Sequence, residues 1–86
     1  MQLAVEISLY PLKDQYLRPI QWFIGRLDAY PEIQRKTNGM STQLCGDYDT
    51  IMALLATEMK AAHREWGKGV FVCKFIPGGV NLDHSE

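Results

Sequence analysis

The side chains of this sequence that could do chemistry are mostly small and polar, and they cluster on predicted strands. Glu6 and Ser8 lie on the first strand, and Asn38, Ser41, Thr42 and Gln43 surround a hairpin. Hydroxyl and amide groups can match the donor and acceptor edge of a heteroaromatic ring. The Glu6 carboxylate and the Tyr10 ring could face a positive charge. The cluster indicates one of two things. It is either a pocket for a small polar or cationic ring, or a solvated sheet face beside a hairpin whose polar groups are hydrogen-bonded by its own Asn and Thr side chains.

The sequence shows no catalytic or metal-binding constellation. His63 and His84 are its two histidines, and its two cysteines, Cys45 and Cys73, form no CxxC motif. Ser8 and the Ser41-Thr42 pair have no base beside them in sequence, so nucleophilic catalysis is not indicated. Glycine-rich phosphate-binding motifs are also absent. We therefore predict a protein that is not an enzyme, with no metal and no catalytic cofactor.

The composition is that of an ordinary globular domain. The chain has 86 residues, 47% of them hydrophobic, and a formal net charge of −1. This balance argues against nucleic-acid binding, which favours a basic face. Every apolar run in the sequence is far shorter than the roughly 20 residues of a membrane span. The sequence enters its first strand directly after Met1, without a basic leader, so we predict a cytoplasmic protein without membrane insertion.

Periodicity predicts the first strand and the first helix. In residues 2–10, apolar residues alternate with residues of mixed character, which is typical of a half-buried strand. Between Gln15 and Tyr30 the apolar positions repeat at helical spacing. Asp14 is a plausible helix cap, and Pro19 must then lie in or near the first turn.

The second half repeats this plan after a hairpin. We predict strands over 32–38 and 40–46, joined at Asn38-Gly39 by a type I′ turn, which requires positive φ at both residues. A second helix then runs from an Asp47 cap to Gly67, with Glu58 facing outward. The last strand spans 69–76. The predicted domain covers 1–78, followed by a polar tail over 79–86.

The element order predicts an α+β, ferredoxin-like βαββαβ sandwich. Right-handed crossovers place the first strand between the third and the fourth, in a four-stranded antiparallel sheet with both helices on one face. Cys45 and Cys73 then lie on strands separated by the first, beyond the roughly 7 Å reach of a disulfide. We predict that both remain thiols.

The other sheet face, the open face, is predicted to carry no helix and to be too apolar to stay fully exposed to solvent. It carries Ala4 and Tyr10, with either the valines or the phenylalanines of the last strand. Trp22, opposite the apolar stripe of the first helix, is either an interface anchor or packed under a loop. We predict a homodimer or homotetramer that forms through this face.

Three segments resemble a known family. EISLYPL (6–12), TNGMSTQLCGDYD (37–49) and GVFVCKF (69–75) are similar, in order and separation, to the YkoF-like thiamine/hydroxymethylpyrimidine-binding family. The resemblance covers about residues 4–76. It implies a ferredoxin-like domain that binds thiamine, or its pyrimidine half, without a catalytic reaction. The implied role is uptake, salvage or buffering of the vitamin. It also implies that two such units work together, so two copies of this single-unit chain would associate.

The resemblance also implies ligand contacts. The family's ST pair matches Ser41-Thr42, with Thr42 the leading contact, and the serine of its SLYP motif matches Ser8. Asn38 stands where tandem members often carry a charge, and it cannot neutralise a thiazolium. Strict alternation places Ser8 and Thr42 on opposite faces, so one ligand reaches both only near an edge or bulge.

Two other functions remain open from the sequence. One is a small dimeric enzyme of the α+β-barrel type that acts on an aromatic substrate; the other is a ligand-free oligomerisation module. The sequence does not choose between thiamine, its phosphates and the pyrimidine alone. A pyrophosphate would require a basic cluster, for which Arg35, Lys36 and Lys74 are the candidates.

Overall fold

A computed structural model describes residues 1–83 of the chain. The elements in order are β1 (Gln2–Pro11), α1 (Leu17–Leu27), β2 (Gln34–Thr37), β3 (Thr42–Asp47), α2 (Tyr48–Trp66) and β4 (Gly69–Pro77). The strands form one antiparallel sheet in the order β2-β3-β1-β4. The predicted ferredoxin-like fold, with β1 between β3 and β4, is confirmed, and β2 is the polar edge strand.

The alternation of β1 separates the two faces of the sheet. Leu3, Val5 and Ile7 are buried and belong to the core, together with Leu44 of β3. The helices supply the rest of that core: Phe23, Leu27, Ile51, Leu54, Leu55 and Ala62. Burial of these apolar side chains is the main source of folding free energy. Both helices therefore cover one face, as predicted.

Helix α1 is shorter than the predicted 15–30, for reasons visible at both ends. Pro19 lies at its third residue, where a missing N–H costs little; a start at Gln15 would place that ring in the helix interior. Tyr16, without a side-chain cap, replaces Asp14 as the N-cap. After Leu27 the next three N–H groups donate three residues back, at 3.2 Å, so the helix tightens and ends before Tyr30.

Helix α2 begins and ends as predicted. The Asp47 carboxylate accepts from the Thr50 N–H at 3.1 Å, and this bond lowers the pKa of Asp47. Gly67 has φ of +82° and donates its N–H to the His63 carbonyl. The prediction for Glu58 is wrong, because it is 3% exposed and faces the core side of the helix.

The hairpin loop differs from the predicted type I′ turn. Neither Asn38 nor Gly39 has positive φ. The Asn38 Oδ1 atom instead accepts from the N–H groups of Met40 and Ser41, at 2.9 and 3.2 Å, and the Asn38 N–H donates to the Ser41 carbonyl. This arrangement is an Asx turn within a longer loop, so the asparagine side chain shapes the hairpin.

The two cysteines are free, as predicted. Cys45 pairs with Ala4 and Cys73 with Ile7, so they lie on opposite faces as well as on separated strands. Burial raises the pKa of the Cys73 thiol.

Beyond β4 the chain folds back across the open face. Pro77-Gly78 forms a turn in which the Gly79 N–H donates to the Ile76 carbonyl, with positive φ at both glycines. Residues 78–83, here called the C-terminal strap, continue as far as β2. The division into a domain over 1–78 and a tail over 79–86 stays a prediction, and His84 lies outside the described residues.

Candidate functional site

The two ladders of β1 have different lengths, and the difference creates a cavity. The β1–β3 ladder ends at Ile7–Thr42, whereas the β1–β4 ladder continues to Pro11–Gly69. The hairpin loop and the start of α1 close around the β1 segment beyond Ile7. They enclose about 420 Å³, which we call the notch cavity. This volume falls within the range of small-molecule sites.

The walls of the notch cavity differ in chemistry. Its polar groups come from Ser8, Asn38 and Ser41, its aromatic groups include Tyr10, Tyr16 and Phe23, and Lys13 adds a cation. An apolar lining with a few convergent polar groups is the usual composition of a small-molecule site. Tyr10 and Met40 are 55% and 89% exposed, so apolar surface surrounds the mouth. The arrangement can hold a flat ring between aromatic side chains and hydroxyl or amide groups.

The structure brings four of the six predicted site residues together. Ser8, Tyr10, Asn38 and Ser41 line the notch cavity. Glu6 is adjacent, because its Oε2 atom accepts from the Ser41 hydroxyl at 3.0 Å. The remaining residue, Thr42, lies elsewhere. Their roles as ligand contacts stay predictions.

Thr42 points to the helix side of the sheet and is 4% exposed. Its hydroxyl is 3.0 Å from that of Thr37, which also accepts from Arg35 Nη1 at 2.9 Å. Ser8 pairs with Val72 and lies on the open face, so the two hydroxyls are on opposite sides of the sheet. A ligand contact at Thr42 would require the threonine pair to open.

A polar network occupies the centre of the open face. Gln43 Nε2 donates to the Ser41 hydroxyl at 2.8 Å, and Ser41 in turn donates to Glu6. Lys74 Nζ lies 3.5 Å from the other Glu6 oxygen. Glu6 is still partly solvated, with 42% of its side chain exposed. The network satisfies part of the hydrogen-bonding capacity of Ser41, whereas Ser8 has no side-chain bond among residues 1–83.

The three basic residues considered for a pyrophosphate do not converge. Arg35 pairs with Asp28 at 2.8 Å, Lys36 with Asp83 at 2.5 Å, and Lys74 with Glu6. Each cation therefore already has an acidic partner. They therefore do not form the basic cluster that a pyrophosphate would require.

Sequence reasoning missed a buried carboxylate between the helices. Glu58 accepts from Arg26 Nε at 2.7 Å and from the Tyr30 hydroxyl at 2.6 Å. These hydrogen bonds raise the pKa of Arg26 and that of Tyr30. The signal was present, since Glu58 stands seven residues after Ile51 and four before Ala62, on the apolar stripe. The cluster joins α1 to α2 and lies outside the notch cavity.

The interface role considered for Trp22 is not supported by its position. Its ring packs edge-on against Trp66 at 6.4 Å, and the Arg26 guanidinium lies 5.3 Å from its centroid. Trp22 is partly buried against the core. It therefore packs within the chain and connects the two helices, although its partner is α2 and not the loop that the second alternative predicted.

Residues 1–83 contain neither a helix that could span a membrane nor a cluster of metal-binding side chains. Within that range, neither helix combines the length and apolarity required to cross a membrane. The same residues contain no group of three or more His, Cys, Asp or Glu side chains placed to hold a metal ion.

Comparison with solved structures shows the same fold. A Thermotoga maritima protein, provisionally named for thiamine biosynthesis or salvage, superimposes with a TM-score of 0.85 at 14% identity, over 96% of this chain and 92% of that one. A Streptococcus pneumoniae protein gives 0.84 at 21% identity, over 93% and 90%. A Bacillus cereus domain of unknown function gives 0.70 at 14%, over 96% and 85%. No family model and no curated protein matches the sequence.

Proposed function

We propose that this chain binds thiamine or its hydroxymethylpyrimidine half, without catalysis, in the notch cavity. The observation that carries the proposal is the convergence of Ser8, Asn38 and Ser41 with aromatic rings in one cavity of about 420 Å³. The segments that contain these residues are also those that resemble the thiamine-binding family. A structural neighbour that is provisionally named for thiamine salvage adds support.

The polar wall suits the edge of an aminopyrimidine. Such a ring presents two nitrogen acceptors, one of them beside an amino donor, and serine hydroxyls can both donate and accept. The aromatic side chains offer faces for stacking, and an aromatic contact adds about 0.5–1.5 kcal/mol beyond burial. The sheet edge beyond Ile7, where β1 lacks β3 as a neighbour, adds backbone groups to the same wall.

The charges favour the pyrimidine end of the ligand inside the cavity. Lys13 is the cation of the lining, with its ammonium over the Trp66 ring at 5.5 Å from the centroid, and within residues 1–83 no residue of the lining is acidic, so the cavity offers no partner to a thiazolium. The Glu6 carboxylate accepts from the Ser41 hydroxyl on the open-face side, and Lys74 Nζ lies 3.5 Å from its other oxygen. We therefore place the thiazolium towards Glu6 and solvent. The role is vitamin uptake, salvage or buffering in the cytoplasm.

Two copies of the chain complete the functional unit in this proposal. The β1–β4 pairing places Val70, Val72 and Ile76 on the open face with Tyr10, and each of these is about half exposed. The valines, and not the phenylalanines, thus form the apolar part of this face. A patch of this kind marks an interaction surface. Light scattering at tens of micromolar tests it; a mass of 9.8 kDa would contradict self-association.

Isothermal titration with thiamine and with free hydroxymethylpyrimidine tests the ligand. We expect binding of both, and a Ser8→Ala variant that binds about 5–30-fold more weakly, because one hydrogen bond is worth about 1–2 kcal/mol. Thr57→Ala is the matched control, since it removes a hydroxyl from the exposed surface of α2 and Thr57 does not line the cavity. Absence of heat and of a thermal shift at millimolar ligand would remove the proposal.

A Thr42→Ala variant separates two versions of the site. If the notch cavity holds the ligand, Thr42→Ala binds as tightly as the parent and Ser8→Ala does not. The reverse pattern would place the ligand on the helix side, at the position that the family resemblance favours. Far-ultraviolet circular dichroism of each variant shows that the sheet is intact.

One observation favours a second function, a ligand-free assembly module. The bonds from Ser41 to Glu6 and from Gln43 to Ser41 show that polar side chains of the open face partly satisfy one another. Such a module would associate into oligomers and give no heat with either ligand. The titration and the light-scattering measurement together distinguish the two functions.

A further inference from the structure

The C-terminal strap lies on the surface through which two copies are proposed to associate. The Gly78 N–H donates to the Gln2 carbonyl at 2.8 Å, and the Cys45 thiol donates to the Val80 carbonyl at 3.4 Å. At its far end the Asp83 carboxylate accepts from Gln34 Nε2 at 3.0 Å and pairs with Lys36. The strap therefore crosses β1 and β3 and reaches β2.

The strap covers apolar surface as well as polar groups. Ala4 is 4% exposed although it points to the open face. Val80 and Leu82 of the strap line a cavity of about 300 Å³ together with Ala4, Ile76 and the Glu6 and Gln43 side chains. The strap thus lies over the half of the face nearest Gln2, where Ala4 is buried and Ile76 keeps 50% of its surface exposed. Tyr10, Val70 and Val72 lie in the other half, beyond the strap.

The contacts that hold the strap are weak individually. The Asp83 pairs are exposed, and exposed ion pairs contribute little to stability. Val80 is nearly half exposed even when the strap is in place. A segment with few buried contacts opens locally far more often than the core unfolds. The strap is therefore suited to leave the face without disturbing the fold.

The area of the open face is small compared with the area that a stable dimer interface requires. Strands about 4.8 Å apart and about 30 Å long give this face a plane of at most roughly 600 Å². A stable interface requires about 800 Å² of accessible surface from each partner, so the uncovered half alone falls well short. Only the whole face, with the relief of its side chains, approaches that value.

We propose that the C-terminal strap competes with a second copy of the chain for the open sheet face. With the strap in place, association is limited to the half near Tyr10 and Val72. When the strap is released, the Ala4 and Ile76 half joins the interface and association strengthens. This inference rests on the proposed self-association, but it is independent of the ligand, because no strap residue lines the notch cavity.

A glycine substitution tests the proposal in the full chain. Gly79 has φ of +78°, and an added Cβ would lie 3.1 Å from Gln2 Cβ and 3.4 Å from Cys45 Sγ. Gly79→Ala should therefore loosen the strap. Gly39→Ala is the matched control, because Gly39 has open space around it and no positive φ. Asp83→Asn is a second variant, which weakens the pair with Lys36 without adding bulk.

Two measurements on these variants decide the matter. Alkylation of Cys45 at a protein concentration far below the dimer dissociation constant, followed by peptide mass spectrometry, reports strap opening without shielding by a second copy. Cys73 on the opposite face is the internal standard. We expect Gly79→Ala to accelerate Cys45 alkylation several-fold and to lower the dimer dissociation constant about tenfold by sedimentation. Asp83→Asn should shift both in the same direction by less, and Gly39→Ala should shift neither.

The outcomes that overturn the proposal are distinct from those that affect the ligand. Faster Cys45 alkylation with unchanged association would show that the strap does not compete for the interface. An unchanged alkylation rate in both strap variants would show that the strap is not displaceable. A chain that stays monomeric in every variant removes self-association, whereas thiamine titration of the same samples succeeds or fails separately.

Discussion

The two faces of the β-sheet come from the same alternating strands but are covered in different ways. On the helix side, Leu3, Val5 and Ile7 are fully buried beneath two helices. On the other side, Tyr10 and Val72 are about half exposed, and the cover is a short strap with exposed ionic contacts. The first face supplies the stability of the fold. The second is incompletely covered, and it is the face on which the proposed association depends.

The largest expected effect tests this difference directly. Leu44→Ala on the helix side should lower the free energy of unfolding by about 2–5 kcal/mol, because it leaves a cavity in a packed core. Val72→Ala on the open face should change it by less than about 0.5 kcal/mol. Denaturant unfolding at low protein concentration measures both. Equal effects would show that the open face is as tightly packed as the core.

A smaller effect concerns the buried Glu58 cluster. Tyr30→Phe removes the hydrogen bond to the Glu58 carboxylate and should cost about 1–3 kcal/mol. Since that bond raises the pKa of Tyr30, its contribution is present below the ordinary tyrosine pKa and is lost as pH rises through the raised value. Stability of the parent should therefore decline at strongly alkaline pH more than that of Tyr30→Phe. Parallel pH profiles for the two proteins would contradict this role.

The smallest effect concerns the thiols and does not alter stability. Both cysteines should react with a thiol reagent in denaturant without a reductant, because strand order and opposite faces keep them apart. In the native state the raised pKa of Cys73 leaves less thiolate at neutral pH, so its rate should keep rising beyond the pH at which an ordinary thiol levels off. A blocked pair in denaturant would contradict the topology.

Much of the fold followed from the sequence because local signals agreed with one another. The alternation of β1, the Asp47 cap and the positive φ of Gly67 were each predictable from residue type and spacing. The start of α1 was harder to predict. Asp14 is a good capping residue, but a helix that began there would place Pro19 in its interior, so the helix begins at Leu17. Glu58 was missed because a carboxylate on an apolar stripe becomes buried only when partners from another helix reach it.

The candidate site was predicted in part for a similar reason. Ser8, Tyr10, Asn38 and Ser41 converge because they border the point where β3 stops beside β1. The contributions of Lys13 and Tyr16 depend on how α1 approaches the sheet, which periodicity does not specify. The strap could have been anticipated from the Pro77-Gly78-Gly79 turn, but its destination depends on tertiary contacts.

The Asx turn of the hairpin has a consequence for how this protein can diversify. Because the Asn38 side chain accepts from the Met40 and Ser41 N–H groups, the loop conformation requires no positive φ at Gly39, and the Met40 side chain is 89% exposed beside the cavity. We therefore expect side-chain changes at Gly39 and Met40 that keep the Met40 N–H to have little effect on folding. Relatives of this chain could thus acquire new ligand preferences through the loop tip while keeping the sheet unchanged.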